Sequence, residues 1–175
     1  MKRETLNKLI ISAMFLAIGM VLPSITMQIR EIGNMLLPMH IPVMLCGVIC
    51  GPLYGGAIGV ILPIFRSLIF SQPNMYPNAV AMSVELCVYG VVIGLMYILT
   101  KRIRGGIFIS LITSMLVGRI IWGLISPVLY YLNGSVFTLE IFITRAFVEA
   151  LPGIIVQLIL IPTIILSLKK AKLIE

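Results

Sequence analysis

The chain has 175 residues, of which 60% are hydrophobic and only 11% charged, and it carries a formal net charge of +7. Soluble domains average about 25% charged residues, so this balance, with a mean hydropathy of +1.15, excludes a soluble globular protein and selects a helical membrane protein. The basic residues lie in short clusters between apolar runs, which points to membrane topology and excludes a nucleic-acid-binding face.

The first apolar run, residues 6–27, follows Lys2 and Arg3 and lacks a small-x-small cleavage site, so it is expected to be a retained helix. Ala13 and Ala17 stand four apart in it, with Ser12 and Gly19 nearby, a small-residue face that suits either packing inside the bundle or docking of a partner. Residues 28–37, with Arg30 and Glu31, predict a loop or interfacial turn. A second segment, 37–50, is short for a crossing. Pro38, His40 and Pro42 at its start predict an irregular entrance, tolerated at membrane depth only under cover of protein or a water-filled cavity.

After the uncharged turn 51–56, a third segment spans 53–70, with Gly55, Gly56 and Gly59 for close packing, Pro63 as a kink and Arg66 near its far end. The stretch SQPNMYPN is rich in turn residues. The fourth segment, 79–100, carries Glu85 in its first half and ends at Lys101, Arg102 and Arg104. The fifth, 106–132, contains Arg119, Trp122 and Pro127, and the sequence LNGS closes it. The stretch 136–168 is too long for one simple crossing. It divides into a connecting portion up to Arg145 and a sixth segment, 146–168, before Lys169, Lys170 and Lys172. No internal repeat or linker is evident, so the chain is expected to be a single transmembrane domain over residues 1–175.

Charge orients the bundle. With a cytoplasmic N-terminus the inner side receives nine basic residues, Lys2, Arg3, Lys8, Lys101, Arg102, Arg104, Lys169, Lys170 and Lys172, and the outer side two, Arg30 and Arg145. The expectation is an all-α integral membrane protein, a bundle of six transmembrane helices with both termini cytoplasmic. Five crossings remain open if the second and third segments form a re-entrant pair.

In this orientation Arg66 lies roughly 6 Å and Glu85 roughly 10 Å below the outer surface, at about 1.5 Å rise per residue. Glu149 lies near the outer edge, and Arg119 is deepest, with Trp122 almost one turn further out. These groups either neutralise one another as Arg66–Glu85 and Arg119–Glu149 pairs, or line a solvated cavity. There they would bind a polar solute, with Trp122, Tyr76 or Tyr130 stacking on it. His40, the only histidine, is assigned a hydrogen-bonding role. Cys46, Cys50 and Cys87 lie in apolar runs with no acidic or histidine cluster beside them, so no metal site is expected. With no HExxH, GxSxG or GxxxxGK[ST] motif, neither an enzyme nor a cofactor is expected.

The stretch LPMHIPVMLCGVICGPLYGGAIGVILPIFRSLIF, followed by PxxYPxAVAMSVELxxYG, resembles the substrate-binding S component of energy-coupling factor (ECF) transporters. The resemblance covers most of the chain and is densest from residue 36 to 97. It implies a six-helix subunit of a bacterial plasma membrane that captures a vitamin or related micronutrient from outside and passes it inward with a transmembrane coupling subunit and two ATPase subunits. It also implies that Ala13 and Ala17 dock onto the coupling subunit. The family's pocket lies toward the outside, which agrees with Glu85, Arg119, Trp122 and Glu149 and leaves Arg66, His40 and Tyr76 as further candidates. Pantothenate-like, pyridoxine-like and riboflavin-like solutes all remain open. A stand-alone, proton-coupled secondary transporter is the alternative.

Overall fold

A computed structural model describes residues 3–26 and 36–171. The loop expected around Arg30 and Glu31, and the basic residues Lys2 and Lys172, lie outside the described residues. Helix α1 (Arg3–Thr26) is followed by α2 (His40–Ile49) and α3 (Pro52–Phe70). A π-helical turn (Met75–Ala79) leads into α4 (Val80–Thr100), then α5 (Gly106–Leu132), the single turn α6 (Leu139–Ile143), a second π-helical turn (Thr144–Val148) and α7 (Leu151–Lys170).

The boundaries follow from local chemistry. Gly51 at φ +104° makes the reversal between α2 and α3, a conformation that disfavours any side chain, and Pro52 starts α3 with its fixed φ. Gly105 at φ +79° does the same work between α4 and α5. Thr138 caps α6, its hydroxyl accepting from the Ile141 amide at 3.3 Å.

Five stretches are long and apolar enough to cross a membrane: α1, Met75–Thr100, α3, α5 and Leu139–Lys170. Helix α2 is not. Its ten residues rise about 15 Å, half of a hydrocarbon core of about 30 Å. Of the six transmembrane helices expected, five are long enough to cross among the described residues, and the second, expected to be short, is a ten-residue apolar helix. That helix survives because α1, α3, α4 and α7 enclose it; every residue from His40 to Val48 is buried.

Helix α4 packs on α2, α3 and α5. At one point α2, α3 and α4 approach so closely that only glycine fits. A methyl on Gly90 would stand 2.3 Å from the carbonyl of Gly55, and one on Gly55 would stand 2.6 Å from the Cα of Gly47. Helix α5 shows the polarity of the bundle. Ile112, Leu116, Ile120 and Leu124 form an exposed apolar stripe, while Ser110, Ser114, Gly118, Arg119, Trp122 and Ser126 face inward. This reverses the pattern of a soluble helix and suits a lipid surround.

The small residues of α1 separate by rotation. Ser12 and Gly19 are buried, with the Cβ position of Gly19 only 2.6 Å from Leu62, whereas Ala13 and Ala17 are exposed on the outward side.

Candidate functional site

Glu85 sits in the second turn of α4, on the same inward face as Ala81 and Tyr89. Facing it, α5 presents Arg119 midway along its length, and Nη1 of Arg119 stands 3.1 Å from Oε1 of Glu85. His40, at the start of the enclosed α2, brings Nε2 to 3.8 Å from the same oxygen. Its ring meets that of Tyr89 edge-on at 5.0 Å. As whole residues, His40, Glu85 and Arg119 are 1%, 3% and 7% exposed.

They floor a cavity of about 490 Å³. Trp122, one turn beyond Arg119, forms part of the wall, held by Phe137 at 5.6 Å and stacked on Phe142 at 5.9 Å. Further along α5, roughly 16 Å from Arg119 by helical rise, Tyr130 donates to Oδ1 of Asn78 at 2.5 Å and accepts from Nη1 of Arg145 at 2.8 Å. This chain of bonds ties the first π-helical turn, α5 and the second π-helical turn across one end of the cavity. Glu149 is exposed at the same rim, and Leu37, Pro73, Met82 and Ala150 supply apolar lining.

Of the residues singled out in the sequence, His40, Glu85, Arg119, Trp122 and Glu149 are brought together around this cavity, while Arg66 and Tyr76 are not among its lining residues. Arg66 is buried but turns toward α1, donating from Nη1 to the Met20 carbonyl at 2.7 Å and to the Ser24 hydroxyl at 3.2 Å, with its guanidinium over the Phe70 ring. Tyr76 is exposed in the first π-helical turn. The ion pair that forms is Glu85–Arg119, in place of the Arg66–Glu85 and Arg119–Glu149 pairs considered from depth. Asn78 and Arg145 line the cavity although the sequence marks them only as turn and connecting residues. The signal for both is their place within one turn of a helix end on the outer side of the charge pattern.

The floor holds unspent hydrogen-bonding capacity. Both ring nitrogens of His40, Oε1 of Glu85, and Nε and Nη2 of Arg119 are buried without a protein hydrogen-bond partner. The 3.1 Å contact of Glu85 and Arg119 is thus an ion pair too bent to be a hydrogen bond. Buried polar groups of this kind are costly unless something satisfies them, and a polar solute in the cavity can do so. Among the described residues, no group of three or more His, Cys, Asp or Glu is placed to hold a metal.

The family model described as ECF transporter, substrate-specific component, matches residues 7–165 of the chain. No curated protein and no solved structure matches it.

Proposed function

The chain belongs to the family of ECF transporter substrate-specific components, and from that premise we propose that its cavity captures a water-soluble vitamin or related micronutrient from outside a bacterial cell. The family makes it the substrate-specific subunit of a transporter, and its apolar helices make it a multi-pass membrane protein. The observation that carries the proposal is the cavity floored by Glu85 and Arg119 inside a bundle with apolar outer faces. Ionised groups at membrane depth are retained where they line a pathway or site. A pair serving only to join two helices has no use for a cavity of about 490 Å³ beside it.

In the proposed arrangement the whole chain is one domain, both termini are cytoplasmic, and α2 completes a six-segment bundle. The concentration of basic residues at the chain ends and at Lys101, Arg102 and Arg104 supports this orientation. The rim bearing Arg145 and Glu149 then opens outward. The solute is held by Glu85, Arg119 and His40 at the floor and Trp122 at the wall, with Asn78, Tyr130, Arg145 and Glu149 at the mouth. The exposed pair Ala13 and Ala17 docks α1 onto a transmembrane coupling subunit, and two ATPase subunits supply the energy from separate chains.

The test is a vitamin panel on the purified full chain in detergent, without ATP. A solute at a hundredfold its Kd adds about 2.7 kcal/mol, which raises the unfolding midpoint by roughly 5–10 °C. No shift with any solute, and none found bound after purification, would count against the proposal.

A further inference from the structure

We infer that the solute carries no net charge and presents a carbonyl-type acceptor beside an N–H or O–H donor, as an amide, lactam or ureide edge does. The inference rests on the cavity being the solute site. It starts from charge balance. Among the described lining residues the charged groups are Glu85, Arg119, Arg145 and Glu149, and they fall into two layers. The buried floor has one carboxylate and one guanidinium, in mutual contact at 3.1 Å. The exposed rim has one of each as well. Neither layer has a charge left for an ionic solute to neutralise. A carboxylate or ammonium group brought to the floor arrives as a third charge in a low-dielectric site, and an uncompensated buried charge is strongly disfavoured.

Hydrogen bonding at the floor points the same way. Nη1 of Arg119 already faces Glu85, and the nitrogens left over are Nε and Nη2, which share one edge of the planar guanidinium and donate in parallel. Oε1 of Glu85, the oxygen in that 3.1 Å contact and 3.8 Å from Nε2 of His40, has no donor in hydrogen-bonding geometry. The floor therefore offers donors and an acceptor next to each other, and the two ring nitrogens of His40 extend the set, one donating and one accepting when the ring is neutral. A lone carboxylate would answer the Arg119 edge and repel Glu85; a lone ammonium would do the reverse. An amide-type edge answers both. Trp122 and the apolar Met82, Pro73 and Leu37 accommodate the rest of the solute.

The experiment compares probes that share a skeleton and differ in charge: nicotinamide (neutral), nicotinate (anionic) and 3-(aminomethyl)pyridine (cationic), together with panthenol and pantothenate. Binding to the purified chain is measured at pH 8, where an ordinary imidazole is uncharged, and any solute that co-purifies is identified by mass. The expected result is that the neutral member of a set binds at least tenfold more tightly than its charged relatives, and that a co-purified solute is neutral. Glu85→Gln leaves the floor with a single positive charge, so preference shifts at least tenfold toward the anionic member; Glu140→Gln, exposed on α6 and outside the cavity lining, shifts it less than threefold. Tighter binding of an anion or cation by the unaltered chain, or a charged co-purified solute, overturns the inference and leaves the binding-subunit proposal standing. Should Glu85→Gln not fold, the ranking on the unaltered chain decides alone. If no probe binds and no solute co-purifies, both the proposal and this inference fail.

Discussion

Gly90→Ala tests the packing that sets the spacing of the site. Alanine is intrinsically the better helix former by about 1 kcal/mol, so at an open helical position the change stabilises. Gly90 is not open: the new methyl would lie 2.3 Å from both the carbonyl carbon and oxygen of Gly55 and 2.8 Å from the amide nitrogen of Gly56. Carbon contacts relax at about 3.5–4.0 Å, so α3 and α4 must part by roughly 1 Å, a gap that forfeits a quarter to a half of each dispersion contact along the seam. Overpacking of this kind costs about 1–3 kcal/mol, and here the upper end applies because the obstacle is backbone that cannot rotate away. The net loss is about 1–2 kcal/mol, or a fall of roughly 2–8 °C in the unfolding midpoint. Glu85 lies five residues earlier on α4, so the displacement also disturbs its 3.1 Å contact with Arg119 of α5. The assay is thermal unfolding in detergent followed by the fluorescence of Trp122, the sole tryptophan. Gly123→Ala is the control: the three atoms nearest its methyl all belong to the Phe142 ring, a side chain rather than backbone, and the midpoint should change by no more than about 2 °C. A Gly90→Ala protein as stable as its parent would refute the close approach of α3 and α4.

Arg119→Ala should abolish solute binding and also destabilise the bundle, by about 3–5 kcal/mol, since it strands the buried Glu85 charge. Adding Glu85→Gln to it should restore much of the stability but not the binding, as thermal unfolding and a binding isotherm on the same samples will report. Tyr130→Phe removes the link between Arg145 and Asn78 at the rim. With each such bond contributing about 1 kcal/mol, solute dissociation followed by stopped flow should accelerate roughly five- to thirtyfold; an unchanged off-rate would mean that these bonds do not restrain the mouth. Ala13→Trp with Ala17→Trp should leave solute binding intact, because both positions face outward, and should prevent co-purification with a coupling subunit. Recovery of the complete assembly with both tryptophans in place would exclude this face as the dock.

The helices themselves were largely legible. Glycine at a chain reversal marks the starts of α3 and α5 within a residue, the short apolar run showed that α2 is short, and the prolines around His40 pointed to its cover. The division of the C-terminal stretch was less clear, because the π-helical turn Thr144–Val148 runs on from α6 without a breaker; the usable signal was Pro152 in the first turn of α7. Depth in the membrane is a one-dimensional coordinate. It put Arg66, Glu85, Arg119 and Glu149 in the outer half, and the last three, with His40 and Trp122, line one cavity, but it is blind to rotation about each helix axis. Arg66 shares that depth and yet turns to the carbonyl of Met20, and Ser12 and Ala13, adjacent in sequence, lie on opposite sides of α1. The partner of Glu85 depended on such a rotation, so much of the cavity's lining was readable and its pairing was not.

The most direct test of the central claim is a titration of the purified chain followed by Trp122 emission, since this single tryptophan lines the cavity next to Arg119. With the solute identified from the purified protein, the emission should change saturably at one equivalent, without ATP or a proton gradient, and the change should vanish in Arg119→Ala. Emission indifferent to a solute that the chain alone nevertheless accumulates in vesicles under a proton gradient would contradict the account and make the chain a transporter in its own right.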